Sequence, residues 1–231
     1  MSAAVQIQEG IFNLKLASPR FLLAFSGRQF TSTSYPDFLG NLGISPESFV
    51  RVKQVHGKKI VLVKEARGYQ IEEADGLVTQ TPGLALGILT ADCVPVFFWA
   101  EEVPAVSLIH AGWRGLHQGI LESAMRLLTG QYQARTQKIF VALGPAIRDC
   151  CYEVGPEFLD YFPKNCRKEG SRHRMNLIQE ARDRLLACGI NPAQIHDLEI
   201  CTVCQNSRFF SARKEKTCER ILSVIQIRKL V

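Results

Sequence analysis

The sequence predicts an α+β fold, in which a mixed β-sheet core is flanked by helices. Segments with the composition of strands outnumber those with helical spacing, and the two kinds do not alternate regularly, which argues against a doubly wound nucleotide fold. No internal repeat, low-complexity tract or linker divides the 231 residues. We therefore expect residues 1–231 to form a single domain.

Alternating or continuous apolar runs bounded by Gly, Pro and Ser predict the strands. These runs cover 11–17 and 20–26 as a hairpin turned at Ser18-Pro19, then 49–56, 58–65, 75–80, 84–100, 104–112, 138–145, 196–204 and 221–230. Pro95 interrupts 84–100, which suits two strands or one strand with a bulge. Residues 27–48 are rich in Ser, Thr, Gly and Pro, so we expect a loop there.

Two segments have helical spacing. Residues 116–130 place apolar side chains one or two turns apart and reach Gly130, which predicts a helix that ends there. Residues 176–190 predict a second helix, with Asn176 as the N-cap and Gly189 just beyond the end.

Composition limits the class of protein. No apolar run approaches the roughly 20 residues of a membrane span, and MSAAVQIQEG lacks the character of a signal peptide. We therefore expect a cytoplasmic protein with no membrane partner, whose eight cysteines are reduced. The net charge of +6 comes with no basic-aromatic pattern, so we expect no nucleic-acid partner. The basic clusters at 167–174 and 212–220 are interpreted as solvated surface or as attraction for an anionic substrate.

Three candidate ligands lie where predicted strands meet Gly or Pro. Cys93 and His110 are separated by a strand, a turn and a strand, so a hairpin can bring them side by side, and His56 precedes Gly57 at another strand end. Two imidazoles and one thiolate suffice for a zinc site with an open fourth position. Such soft donors suit zinc or copper better than magnesium. The alternatives are a core cysteine with turn histidines, or a nucleophilic Cys-His pair.

Other polar residues carry weaker signals. Asp75 and Asp92 are candidates to orient a ligand histidine, or simply to form Asx turns. Arg114 is a candidate clamp for phosphate or a surface ion pair. Cys201 and Cys204 have metal-pair spacing, but no second pair at ribbon spacing accompanies them and the zinc deaminase signature is absent. We therefore interpret this pair as incidental or as core.

Several motifs, taken in order, resemble one family. These are KQVHG (53–57), EADGLVTQTPGLALGILTADCVPVFF (73–98), HAGWRGL (110–116), ALGPAI (142–147), CYEVG (151–155), CT (201–202) and FFSARK (209–214). Together they resemble the YfiH-like family, long labelled multicopper polyphenol oxidase or laccase domains and now regarded as purine nucleoside phosphorylases. The match covers roughly residues 49–220.

The resemblance implies zinc on His56, Cys93 and His110, with copper less suited. It implies phosphorolysis of adenosine, inosine and methylthioadenosine, together with adenosine deamination. The implied substrates are a purine nucleoside and phosphate. It also implies the α+β fold of CNF-type deamidating toxins, which use a Cys-His pair.

Each of the implied reactions needs further groups. We expect Cys93 and His110 at the reacting centre, with Asp92 or Asp75 as acid-base group. Arg28 or Arg114 is expected to hold phosphate, and Asp75 to face the substrate. Oligomeric state is left open.

Some positions depart from the family pattern. Phe25-Ser26-Gly27-Arg28 lacks the usual double glycine, and a helix-sized piece before QVHG is missing. Asn176-Leu177 replaces Asp-Leu, and the C-terminal Ser-x-Arg-Arg has become Ser211-Ala212-Arg213-Lys214.

These departures affect the walls that select substrate more than the metal ligands. The alternatives are a Cys93 hydrolase or deamidase, including one acting on peptidoglycan precursors, and a metal-binding domain without turnover. Multicopper oxidation is disfavoured because it needs several His-rich clusters and the chain has five histidines.

Overall fold

The computed structural model describes residues 4–66 and 72–229, and these residues form an α+β architecture. Its strands are β1 (Ala4–Gln8), β2 (Ile11–Lys15), β3 (Phe21–Ser26), β4 (Phe49–Arg51), β5 (Ile60–Leu62), β6 (Gly76–Thr79), β7 (Ala85–Thr90), β8 (Val94–Ala100), β9 (Ala105–Ala111), β10 (Ile139–Leu143), β11 (Glu153–Val154), β12 (Cys166–Glu169), β13 (Arg172–Met175), β14 (Ile195–Asp197) and β15 (Ile221–Ile227). Its helices are α1 (Tyr35–Asn41), α2 (Trp113–His117), α3 (Ile120–Arg126), α4 (Phe158–Tyr161), α5 (Leu177–Ala187) and α6 (Ala212–Glu215).

Two six-stranded sheets dominate the fold. The first has the order β1-β2-β3-β15-β7-β4 and the second the order β14-β10-β8-β9-β6-β5, while β11-β13-β12 form a small third sheet. The pairs β4–β7, β5–β6 and β10–β14 are parallel among antiparallel neighbours. The predicted mixed-sheet core is therefore confirmed.

One apolar core lies between the two large sheets. Phe25 and Leu86 of the first sheet share one apolar cluster with Phe97 and Leu108 of the second, and all four side chains are fully buried. Burying each such side chain stabilises the fold by about 1.5–3 kcal/mol. Helices α2, α3 and α5 pack on the outer face of the second sheet, and α1 packs on the first.

The N-terminal hairpin of β2 and β3 is confirmed, and β1, which was not predicted, adds a further antiparallel strand beside β2.

The prediction of a loop over 27–48 is wrong, because this segment contains α1. Tyr35 begins this helix with Pro36 in its first turn, and Phe38 is fully buried against Phe30 and neighbouring strands. Packing of one short apolar face thus outweighs the polar composition of the segment.

The run over 84–100 forms two strands, but the break is at 91–93 and not at Pro95. Strand β7 belongs to the first sheet and β8 to the second, so the chain must turn between layers. Asp92 makes this turn in the left-handed region, with a φ of 88°. Pro95 lies inside β8 opposite His110.

The strands predicted over 49–56 and 58–65 are shorter than expected. Strand β4 pairs with β7 in the first sheet and β5 pairs with β6 in the second. The connection between them contains His56, which is also in the left-handed region with a φ of 59°. Residues 52–59 therefore bridge the same two layers as the turn at Asp92.

The predicted helix over 116–130 is divided. Gly119, at a φ of 84°, separates α2 from α3, and a π-helical turn occupies Leu127–Gln131. The helix predicted from 176 is confirmed as α5, and the Asn176 side chain accepts a hydrogen bond from the Gln179 N–H at 2.9 Å.

The C-terminal strands are also shorter than predicted. The predicted strand 196–204 is limited to β14, and 221–230 forms β15, with position 230 outside the described residues. Within 4–66 and 72–229, no helix has the length and apolar character needed to cross a membrane.

Candidate active site

Three candidate ligands converge where the chain passes between the two sheets. In the β8–β9 hairpin, Val94 pairs with Ala111, so Cys93 and His110 lie at the same end of neighbouring strands, as the spacing predicts. His56 approaches from the connection after β4, and its ring lies 4.8 Å from that of His110 between centroids. One ligand atom from each of the three residues falls within 4.8 Å of the others.

Asp75 organises two of these ligands from a fully buried position. One carboxylate oxygen accepts the His56 N–H at 2.9 Å and lies 2.8 Å from Nδ1 of His110. The other accepts the N–H groups of Val55 at 3.2 Å and Gly57 at 2.6 Å. Burial raises the pKa of Asp75, but the hydrogen bonds from His110 and the backbone outweigh burial and lower it. An ionised Asp75 thus holds a proton on Nδ1 of His110 and leaves Nε2 as the ligand atom.

The charges of Cys93 and His110 support each other. Burial raises the pKa of the Cys93 thiol, but hydrogen bonds with His110 and His56 lower it to about 6. Burial lowers the pKa of His110, yet its bonds with Asp75 and Cys93 raise it to about 9. Without a metal, the site therefore holds a thiolate beside an imidazolium at neutral pH, and both groups are ready to ligate once the imidazole gives up its proton.

The donor set fits one soft cation. Two imidazoles and a thiolate are the ligands that zinc or copper prefers, and a carboxylate on the far nitrogen of a ligand histidine is the usual support for such a site. Gly112 allows the close approach, since a Cβ there would lie 3.1 Å from Cys93 Sγ and 3.2 Å from His56 Cδ2. These residues can therefore hold a metal ion.

A cavity of about 570 Å³ opens beside the three ligands. Arg51, Lys53 and Arg220 contribute to its wall, Lys53 is paired with Glu73 at 2.7 Å, and no Asp or Glu is among its described lining residues. The Arg220 guanidinium is held by the carbonyl oxygens of Thr217 and Glu219. The cavity is therefore cationic and suited to an anionic substrate group.

A smaller cavity of about 280 Å³ shares Cys93 and Ala212 with the first and has a different character. Trp113 and Tyr152 line it, and the Arg213 guanidinium carbon lies 5.3 Å from the centre of the Tyr152 ring. Aromatic faces of this kind bind planar rings. Cys93 thus lies between a cavity with three basic residues in its wall and one in which aromatic rings stand beside Asp92 and Arg213.

Asp92, predicted as an acid-base group, lines the smaller cavity and is held by structural contacts. Its carboxylate accepts the Thr202 hydroxyl at 2.7 Å and the Arg213 N–H at 2.7 Å. Its carbonyl oxygen accepts the Ile147 N–H at 2.9 Å. In this structure Asp92 fixes the turn that carries Cys93, and an acid-base role for it stays a prediction.

The arginines predicted to hold phosphate lie elsewhere. Arg28 forms an ion pair with Glu215 and lies over the Phe210 ring at 4.9 Å. Arg114 lies over the Trp113 ring at 4.4 Å. Neither belongs to the described wall of the cationic cavity, where Arg51 and Arg220 were not predicted. Arg51 lies two residues before the KQVHG motif, and its nearness to that motif is the one feature of the sequence that could have identified it.

Comparison with known proteins identifies the family to which the chain belongs. The family model described as multi-copper polyphenol oxidoreductase laccase matches residues 32–228. The chain is 36% identical over 193 residues to the purine nucleoside phosphorylase YfiH of Escherichia coli (strain K12), covering 80% of this chain and 75% of that protein. It is 31% identical over 191 residues to the adenosine deaminase RL5 of an unknown prokaryotic organism, covering 75% of this chain and 72% of that protein.

The fold is similar to a solved structure as well. The crystal structure of the hypothetical protein YfiH from Bacillus licheniformis superposes with a TM-score of 0.91 at 23% identity, covering 97% of this chain and 99% of that one. With the family match, the sequence relatives and this fold, the chain belongs to the YfiH-like, or multi-copper polyphenol oxidoreductase laccase, family.

Proposed function

We propose that this chain is a zinc-dependent purine nucleoside enzyme. In phosphorolysis of adenosine, inosine or methylthioadenosine, the bond from C1′ to the base breaks and a bond from C1′ to a phosphate oxygen forms. The base leaves with a proton, and (methylthio)ribose 1-phosphate is the second product. In deamination, water replaces the amino group of adenosine, giving inosine and ammonia. The convergence of His56, Cys93 and His110 beside a cationic cavity carries this proposal.

Zinc is the metal we favour for these three residues. A donor set of two imidazoles and one thiolate leaves room for one further ligand, and the chemistry that zinc supplies in such a site is Lewis acidity. Asp75 keeps His110 in the tautomer that ligates through Nε2 and fixes the backbone on both sides of His56. These contacts are the second layer of support that metal sites require.

In this proposal, the two cavities on either side of Cys93 bind different parts of the reactants. Phosphate lies toward Arg51 and Arg220, whose positive charges offset the charge of the anion. The two arginines would thereby hold phosphate beside C1′, where it replaces the departing base. The purine lies toward Trp113 and Tyr152, where aromatic faces favour a planar ring. The names of the relatives, which include purine nucleoside phosphorylase and adenosine deaminase, support both reactions.

Product analysis tests the proposal. The purified, zinc-loaded protein is incubated with adenosine in the presence and absence of phosphate, and bases and nucleosides are separated by chromatography. Adenine that forms only with phosphate indicates phosphorolysis, and inosine in both samples indicates deamination. Replacing Cys93 by Ala is expected to remove both the metal of this site and the products.

The control for this experiment is Cys218→Ser, which changes an exposed cysteine outside the cavity walls. It is expected to keep wild-type turnover. If the wild-type protein holds zinc on the three ligands and yields neither adenine nor inosine, the purine assignment is refuted. Full turnover in Cys93→Ala would refute the assignment of the site.

A second function is favoured by one observation, namely that Cys93, His110 and Asp75 are arranged as a nucleophile, a base and an orienting carboxylate. This arrangement suits a hydrolase or deamidase of the type found in CNF-like toxins, including one acting on the amide groups of peptidoglycan precursors. Iodoacetamide distinguishes the two functions. A zinc-bound Cys93 is protected until a chelator is added, whereas a nucleophilic Cys93 is alkylated rapidly in the protein as purified. Both functions need Cys93 in its reduced form, which supports the proposal of a cytoplasmic location.

A further inference from the structure

A second group of thiols lies outside the cavity walls beside Cys93. Cys150 and Cys151 follow β10, and Cys201 and Cys204 follow β14, so the four residues come from two segments about fifty positions apart in the chain. All four sulfur atoms lie within 4.8 Å of one another. The described chain therefore contains a compact four-cysteine cluster that the spacing of Cys201 and Cys204 alone did not predict.

The sulfur–sulfur distances have the pattern of a tetrahedron. Cys150 lies 3.7 Å from each of the other three sulfurs, and Cys151 lies 3.4 Å from Cys204. A zinc ion with four sulfurs at about 2.3 Å requires sulfur–sulfur edges of about 3.8 Å. A disulfide would instead bring two sulfurs together and leave the others apart. In a four-iron cluster each thiolate binds a different iron, which needs wider separations than these.

Backbone groups are arranged to support a thiolate at the buried member of the cluster. Cys201 is 5% exposed, and the N–H groups of Val203, Cys204 and Arg148 are hydrogen-bonded to its sulfur. Amide donors of this kind, coming from the residues after the first cysteine of a Cys-x-x-Cys pair, stabilise a metal-bound sulfur. They have no comparable use on a neutral thiol, which is a weak acceptor.

The two segments are already joined without a metal. Ala146 forms a parallel bridge with Cys201, and the N–H of Thr202 donates to the carbonyl oxygen of Ala146 at 3.1 Å. This pairing fixes the Cys-x-x-Cys loop against the segment that carries Cys150. The cluster is thus held in place by backbone pairing, so that ordering the four ligands costs little on binding.

We propose that Cys150, Cys151, Cys201 and Cys204 bind one zinc ion as a tetrathiolate structural site, separate from the three-ligand site at Cys93. Binding deprotonates the thiols and releases their protons to solvent, and no electron transfer is involved. Four protein ligands fill the coordination shell, so this ion has no position for substrate.

Such an ion would stabilise the turn that carries Cys93. Ile147 and Thr202, one from each metal-binding segment, both donate hydrogen bonds to Asp92, the residue before Cys93. Fixing the two segments on one ion therefore restrains both contacts. This inference does not rest on purine chemistry, since a structural zinc serves any reaction at the first site.

Metal content tests the proposal directly. Wild-type protein prepared under reducing conditions with zinc is expected to hold two zinc ions per chain. The Cys93→Ala variant and the double variant Cys150→Ser/Cys204→Ser are each expected to hold one. With cobalt in place of zinc, Cys93→Ala keeps the intense thiolate-to-cobalt absorption of a four-sulfur site, and the double variant loses most of it.

Alkylation gives a readout that does not need a folded variant. Cys150, Cys204 and Cys218 are all exposed. Added zinc is expected to slow iodoacetamide modification of Cys150 and Cys204 in the wild-type protein by about tenfold or more, because bound thiolates are protected. Modification of Cys218 is expected to be unchanged, which makes it the internal control.

The proposal is overturned by any of three results. These are a single zinc per wild-type chain that disappears with Cys93, equal alkylation of Cys150 with and without zinc, or a disulfide among the four residues in the reduced preparation. If the double variant does not fold, the cobalt spectrum of Cys93→Ala and the alkylation of the wild-type protein still decide.

Discussion

Replacing Asp75 by Asn changes the group that holds two of the three candidate ligands while preserving its size. The carboxylate accepts four hydrogen bonds, two on each oxygen. An amide has only one acceptor oxygen, so one pair of donors must face an NH₂ group. If that pair includes His110, the amide donates to Nδ1 and the proton moves to Nε2, the atom that would ligate metal.

The expected losses of stability and of zinc affinity in Asp75→Asn follow from these contacts. Hydrogen bonds to a charged group contribute roughly 1.5–3 kcal/mol each, so the loss of two lowers the free energy of unfolding of the metal-free protein by about 3–6 kcal/mol. Loss of the correct tautomer is expected to weaken zinc binding at the first site by about 10–100-fold, the usual effect of removing such a support.

Chelator competition measures the zinc affinity of the first site, and urea denaturation of the metal-free protein measures stability. The matched control is Asp183→Asn on α5, a partly exposed carboxylate that also accepts two hydrogen bonds, from Asn165 and Gln179. We expect it to change stability by less than about 1 kcal/mol. Wild-type zinc affinity in a folded Asp75→Asn protein would refute the reasoning.

Three further outcomes are expected. In metal-free protein the alkylation rate of Cys93 should rise with pH to a plateau above its lowered pKa of about 6, and a midpoint near that of an ordinary thiol would contradict the hydrogen-bonded thiolate. Gly112→Ala should weaken zinc binding by about tenfold, because its Cβ would crowd Cys93 and His56 at 3.1–3.2 Å, whereas Gly40→Ala, whose Cβ would meet nothing within 4 Å, should leave zinc binding unchanged. Burial raises the pKa of Asp197, but the hydrogen bonds from Arg148 outweigh burial and lower it, so its stabilisation is present above the unfolded pKa of about 4 and is lost as pH falls. Asp197→Asn should therefore cost about 2 kcal/mol at pH 7 and progressively less below pH 4 in urea denaturation, and an equal cost at both pH values would contradict the sign.

Much of the fold could be predicted because strand pairing between sequence neighbours is local. The hairpins β2–β3 and β8–β9, strand β10 and the N-cap of α5 follow from patterns within twenty residues. The loop predicted over 27–48 was wrong for the opposite reason, since α1 depends on burying Phe38 against strands that are distant in the chain. Likewise, the break at Asp92 is set by the passage between two sheets and not by the proline that follows it.

The candidate site likewise has features that could be predicted from local sequence and features that depend on packing. Three candidate ligands could be predicted from sequence, because Cys93 and His110 border the β8–β9 hairpin that brings them side by side and His56 precedes Gly57 in the KQVHG motif. The cations beside them could not be predicted, because Arg51 and Arg220 come from distant parts of the chain and meet at the cavity only through packing. The tertiary structure also decided that Cys150 and Cys204 meet, because the pairing of two distant segments is set by packing and leaves no periodic trace in the sequence.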